Sequence, residues 1–226
     1  MTGVQTCALP IFRTSPLQGD APNLSTILPY MLLICAPLVS MGLSLKWFEE
    51  GDHLPQPSFR LAQVGRWRTV DPAAARRHPL YGTTGIMVSL LLGTLLNVPV
   101  RAAEYLAATP AISGHVPAWL GTLHLMMTLD VVVMSSLYTV AFVAALRRVP
   151  LFPRLLVAIW AIDLLMQLSI AQAVAASGDL PRQIATVLGT MLDGNVKKVL
   201  ISVALWLPYL LLSRRVNVTF RSRVPA

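Results

Sequence analysis

An all-α, polytopic bundle of membrane-spanning helices is the fold this sequence predicts. Composition, apolar runs and the placement of charge predict it. The 226 residues are 55% hydrophobic and only 12% charged, where an ordinary globular domain carries about 25% charged residues. Mean hydropathy is +0.63. Five apolar runs are each long enough to cross a bilayer as a helix. Lysine and arginine collect in alternate loops, as the positive-inside rule requires of a chain that crosses repeatedly. Together these exclude a disordered chain and a soluble domain. The net charge of +8 then reads as topology, and nucleic acid is not an expected partner.

Residues 1–11 (MTGVQTCALPI) match the translation of a common sequencing-adapter oligonucleotide read from a GTG start. They are expected to be an artefact and are set aside before fold reasoning. Cys35 then becomes the one native cysteine, which leaves no intramolecular disulfide and no cysteine metal site. Residues 12–26 are polar and rich in Pro, Gly and Ser, and read as a flexible lead-in.

The first transmembrane helix is expected over 27–47. Its uncharged stretch is 27–45, Pro37 should kink it, and Lys46 and Trp47 anchor its end. Residues 48–80 form the long polar loop, acidic in front (Glu49, Glu50, Asp52) and basic behind (Arg60, Arg66, Arg68, Arg76, Arg77). A short helix fits DPAAARRH, with Asp71 as N-cap and Pro72 at the first helical position. With Trp67, this basic part either lies on an anionic leaflet or is a solvated linker. The remaining spans are expected at 82–100, 118–146, 151–177 and 196–213. Only RRVP joins the third span to the fourth, so those two must run antiparallel and adjacent.

Basic residues orient the chain. The 46–80 loop carries six Lys and Arg, the third-to-fourth turn three, and the tail four. The other side holds five: Arg13, Arg101, Arg182, Lys197 and Lys198. The richer side is expected in the cytoplasm, which places the C-terminus there. Lys197 and Lys198 are read as snorkelling at the outer end of the fifth span, with Asp193 and Asn195 in the loop before it.

The clearest pattern is at the C-terminal end. Residues 205–220 (LWLPYLLLSRRVNVTF) carry Trp206, Pro208, Tyr209, Ser213, Arg215, Val216, Thr219 and Phe220. This resembles the C-terminal signature of the DUF2569 family of bacterial inner-membrane proteins of unknown function. Gly82 and Gly85 before a Leu-rich run fit the opening of that family's first span, with Ile86 where a Trp is common. The resemblance covers roughly 79–223, and a four-helix membrane domain over 81–223 follows from it. It implies a bundle with both ends cytoplasmic, a bacterial inner-membrane location, and no known activity. On physical grounds the same tail reads as an interface anchor. Trp206 and Tyr209 would sit at headgroup depth, with Ser213, Arg214 and Arg215 meeting the headgroups.

Two carboxylates lie at membrane depth, where ionisable groups are costly and are functional candidates by default. Asp130 is about 24 Å from the inner end of its span and Asp163 about 18 Å from the inner end of the next, by helical rise. Gln167 is one turn from Asp163 and shares its face. Asp130, Asp163 and Gln167 are therefore expected to converge in the bundle interior. There the two carboxyls cannot both stay ionised, and a shared proton would make a relay or a coupling site for transport. Hydrogen-bonded glue between helices is the plainer reading of the same residues. His124 faces away from Asp130, and His53, His78 and His115 lie in loops without metal spacing. Met126, Met127 and Met134 read as core filler. The pairs Ser89 and Gly93, and Ala141 and Ala145, suit close helix contact.

No nucleotide, hydrolase, metalloprotease or redox motif occurs, and neither a cofactor nor a metal is expected. The expected role is structural or interactive, with anionic lipid and either a second copy or another membrane protein as partners. The competing role is a small proton-coupled transporter using Asp130 and Asp163. A membrane-embedded enzyme is the third.

Overall fold

The computed structural model describes residues 24–58, 65–109, 116–178 and 180–226. The readings on 1–23, Arg60 and His115 lie outside the described residues. Among the described residues seven α-helices form, α1 (Leu24–Trp47), α2 (Pro72–Arg76), α3 (Ile86–Ala108), α4 (Ala118–Leu146), α5 (Phe152–Ala176), α6 (Arg182–Leu212) and α7 (Arg214–Arg221). Two short strands, β1 (Trp67–Thr69) and β2 (Arg223–Pro225), pair antiparallel. Five helices, all but α2 and α7, are long and apolar enough to span a membrane.

Local chemistry sets most boundaries. Asp71 caps α2, accepting from the Ala73 amide at 3.0 Å, with Pro72 following it. Pro117 and Pro181 precede α4 and α6. The RRVP turn closes α4, with Arg148 in a left-handed conformation (φ 56°), and forces α5 back along α4. These two spans fall at 118–146 and 152–176, almost as the apolar runs predict.

Two spans differ from the expectation. The second span, expected over 82–100, is α3 and continues to Ala108 past Pro99. Proline removes one backbone donor, but Ala102 and Tyr105 pack against Tyr30, Leu33, Val131 and Val132, and that burial carries the helix onward. The fifth span, expected over 196–213, is α6 and begins at Arg182. Leu188 and Leu192 pack against Ile170 and Val174 of α5, so the polar stretch from Asp193 to Lys198 is helix, not loop.

Helix α4 is the centre. It packs on α1, α3 and α5, and α5 carries α6. Ala141 and Ala145 are fully buried and let the backbones approach, as expected. Ser89 and Gly93 do not. Ser89 is exposed, and a side chain added at Gly93 would meet nothing within 4 Å. Among the described residues, none packs against Gly93 on that face of α3.

At one end of the bundle the tail folds back on the polar loop. Ser213 caps α7, accepting from Val216 at 3.5 Å. Thr219 accepts a hydrogen bond from the Gly82 amide at 3.0 Å, and Gly82 has φ 109°, which glycine tolerates. Arg215 donates to the Leu80 carbonyl (3.3 Å) and to Thr84 Oγ1 (2.6 Å). Phe220 packs on Phe152 with ring centroids 5.1 Å apart. Gly51 lies so close to the α4–α5 turn that a Cβ there would sit 2.7 Å from the Arg147 carbonyl oxygen. The anchor reading of this tail therefore needs correction. Val216, Thr219 and Phe220 are buried inside a junction, and Arg215 is tied to the chain's own loop. Trp206 and Tyr209 are half-buried and pack edge to face, 6.0 Å apart, with Pro208 exposed between them.

Candidate functional site

Helix α3 packs mainly on α4, and α6 mainly on α5. Between α3 and α6 lies a cavity of about 660 Å³. On α3 it runs from Gly93 to Ala108, about 22 Å by helical rise. On α6 it runs from Thr190 to Ser202. Its floor is formed by α4 and α5.

The sequence-predicted residues meet on that floor. Asp130, Asp163 and Gln167 are 7%, 0% and 2% exposed. Gln167 Nε2 donates to Asp130 Oδ1 at 3.3 Å. The two carboxylates do not share a proton directly, because Arg101 of α3 stands between them. Its Nη1 donates to Asp130 Oδ2 at 2.8 Å, and its Nη2 donates to Asp163 Oδ2. Tyr138 adds a second donor to Asp163 Oδ2 at 3.0 Å, and its ring lies under the guanidinium, 5.8 Å from Cζ to centroid. Such a position over an aromatic face favours the cation. Asp163 Oδ1 and Arg101 Nε are buried with no partner among the described residues.

The network continues to the cavity mouth. Asn195 of α6 donates from Nδ2 to Gln167 Oε1 at 3.2 Å. Lys198, one turn on, donates to Asn195 Oδ1 at 3.5 Å and pairs with Glu104 of α3. That last pair is more than 45% exposed on both sides and is the polar link across the opening. Lys197, its neighbour, pairs with Asp193, one turn back on the same helix (2.6 Å). The reading of Asn195 and Lys198 as loop and anchor residues is thus corrected: both face the cavity. A separate polar contact lies along α4. Tyr105 shares a hydrogen bond with Thr128 at 2.8 Å and approaches His124 Nε2 at 3.4 Å. His124 takes no part in the carboxylate cluster, as expected.

Arg101 is the residue that sequence reasoning missed. It follows an apolar run and Pro99, so it looked like a loop cation at the outer surface. The available signal was the segment after it, AAEYLAA, which keeps apolar residues at helical spacing. With both carboxylates ionised, one guanidinium would leave the cluster one excess negative charge. Burying ions costs several kcal/mol each, offset only by good geometry and further hydrogen bonds. The described residues hold no group of three His, Cys, Asp or Glu placed to bind a metal. No family model, curated protein or solved structure matches the chain.

Proposed function

We propose that this protein is a small proton-coupled membrane carrier. Its solute enters the cavity between α3 and α6, and the Asp130–Arg101–Asp163 cluster holds the coupling proton. The observation that supports this best is the reach of the cavity: one open volume touches the exposed Glu104–Lys198 pair and both buried carboxylates. Helix glue needs no open volume beside it. Ionisable residues lining a cavity in a span often mark an ion or substrate path. We further infer a bacterial inner membrane as its home, from the likeness to the DUF2569 family. The C-terminus faces the cytoplasm in this reading, because the exposed arginines of the loop end (Arg66, Arg68, Arg77, Arg147, Arg214) suit an anionic leaflet.

A structural or interaction role is the second reading. The unpacked Ser89–Gly93 face of α3 favours it, since small residues there would admit a helix from a second copy or from another membrane protein.

Cysteine labelling separates the two. In a Cys7→Ser, Cys35→Ser background, Ser202→Cys on the cavity wall should react with a water-soluble maleimide. Leu205→Cys, exposed on the same helix but outside the cavity, should not. After correction for the thiolate fraction, the Ser202→Cys rate should differ between acid and alkaline buffer, and Asp163→Asn should abolish that difference. Equal labelling at both positions, or a rate indifferent to pH, would overturn the carrier reading.

A further inference from the structure

We propose that the solute is a lipophilic organic cation and that it and a proton occupy the carboxylate cluster alternately. This rests on the carrier reading and adds the chemical class of the solute and the sense of coupling. Three features of the cavity carry it.

The first is charge. The ionisable groups lining the cavity with Asp163 are Arg101, Glu104 and Tyr105 from α3, Asp130 and Tyr138 from α4, and Lys198 from α6. Glu104 and Lys198 compensate each other at the mouth. Arg101 offsets one of the two remaining carboxylates, so one negative charge is left over. In a low-dielectric interior that charge demands a partner. A proton meets the demand, and so does a cationic ligand. Both at once would leave an excess positive charge, so binding one expels the other.

The second is hydrogen bonding. Asp163 Oδ1 is buried and unpartnered, while its Oδ2 accepts from both Arg101 and Tyr138. Any unspent attraction for positive charge is therefore at Asp163. Arg101 Nε is unpartnered as well, but both terminal nitrogens of this guanidinium already bind the two carboxylates, so its charge is offset before any anion arrives.

The third is the wall. Leu96, Val100, Met127, Val131, Met191 and Val199 line the space around the cluster. A cavity of about 660 Å³ falls in the range that holds drug-sized molecules. Apolar walls with polarizable methionines around one buried negative charge suit a cation whose charge is carried on hydrocarbon. A small hydrated ion would have to give up its water to walls that offer nothing in return. The step conserves charge: the protonated cluster takes the cation, the carboxylate pairs with it, and the proton leaves to water.

Each ligand class predicts a different proton count. A cation releases one proton on binding, a neutral solute releases none, and an anion takes one up. The test uses the full chain purified in lipid nanodiscs, with empty discs subtracted. The probes are tetraphenylphosphonium and tetraphenylborate, which share a shape and differ in sign. Calorimetry in two buffers of different ionisation enthalpy reads the protons exchanged. Saturable tetraphenylphosphonium binding should release close to one proton, with affinity rising about tenfold per pH unit where the cluster is protonated. Tetraphenylborate should not bind saturably. Asp163→Asn should remove both the proton release and the pH dependence. Asp163→Glu, which keeps the charge, should retain them and controls for misfolding. Absence of tetraphenylphosphonium binding, binding without proton release, or equal binding of tetraphenylborate would overturn the proposal. If Ser202→Cys labelling still responds to pH in such a case, the carrier reading stands and only the cation class falls. If labelling is flat as well, both fall.

Discussion

Arg101 and Arg221 are both held inside this membrane fold, and they are kept there in opposite ways. Arg101 is bound by acids from two other helices, over a tyrosine face, on the floor of a cavity. Arg221 is 5% exposed, and its Nη1 donates to Asn217 one turn back on its own helix at 3.0 Å. Burial, with Arg223 and Arg154 nearby, lowers the Arg221 guanidinium to about 10. The surroundings of Arg101 are built for its charge. Those of Arg221 oppose its charge, and the junction of α7, β1 and β2 closes around it by packing. The difference teaches where to look for function. A buried cation with designed counter-ions beside open volume marks a site, whereas one caught in closed packing marks architecture.

Substituting the two arginines tests this contrast at its strongest. Arg101→Met leaves two buried carboxylates without a cation and should cost about 3–5 kcal/mol, read as a lower melting midpoint in detergent. The loss should shrink in acid buffer, where the carboxyls are protonated and no charge is stranded. Arg221→Met removes a charge that its site disfavours and should cost less than about 1 kcal/mol. Equal losses from the two substitutions would break the comparison.

A smaller effect should come from the junction itself. Thr219→Val deletes the hydrogen bond to the Gly82 amide and should cost about 1 kcal/mol, while leaving tetraphenylphosphonium binding unchanged. Smaller still is Lys198→Gln at the cavity mouth. Exposed ion pairs contribute about 0.5 kcal/mol, so stability should hardly move, but Ser202→Cys should label faster as the link between α3 and α6 is lost. The smallest effect belongs to Tyr81, under the Arg148 guanidinium at 5.3 Å. Burial first, and then Asp52, raise its phenol above the ordinary value of 10. The folded state thus binds this proton more tightly than the unfolded chain. The resulting stability is complete below pH 10 and is lost as pH rises through the folded value. Tyr81→Phe should erase that alkaline step in a pH melting series.

How much of this was legible follows physical lines. The α4 and α5 spans were readable because each is a nearly uninterrupted apolar run closed by a four-residue turn. Asp130, Asp163 and Gln167 were readable because helical rise and a shared face fix depth and direction. The ends of α3 and α6 were misread because Pro99, Arg101 and the Asp193–Lys198 stretch look like loop chemistry. Tertiary packing of Tyr105, Leu188 and Leu192 overrides that signal. The role of Arg101 depended on its helix extending, so it was lost with the boundary. The tail motif was visible as a pattern, but its partners were not. Gly82 and Thr219 are 137 residues apart, and no local periodicity encodes such a meeting.

The central claim is that the cluster on the cavity floor takes up and releases a proton. Infrared difference spectroscopy of the full chain in nanodiscs, between acid and alkaline buffer, observes the carbonyl stretch of a protonated carboxyl directly. The account predicts one such band that titrates reversibly, vanishes in Asp163→Asn and shifts on tetraphenylphosphonium binding. A spectrum without a titrating band, or a band unmoved by both Asp130→Asn and Asp163→Asn, would contradict it.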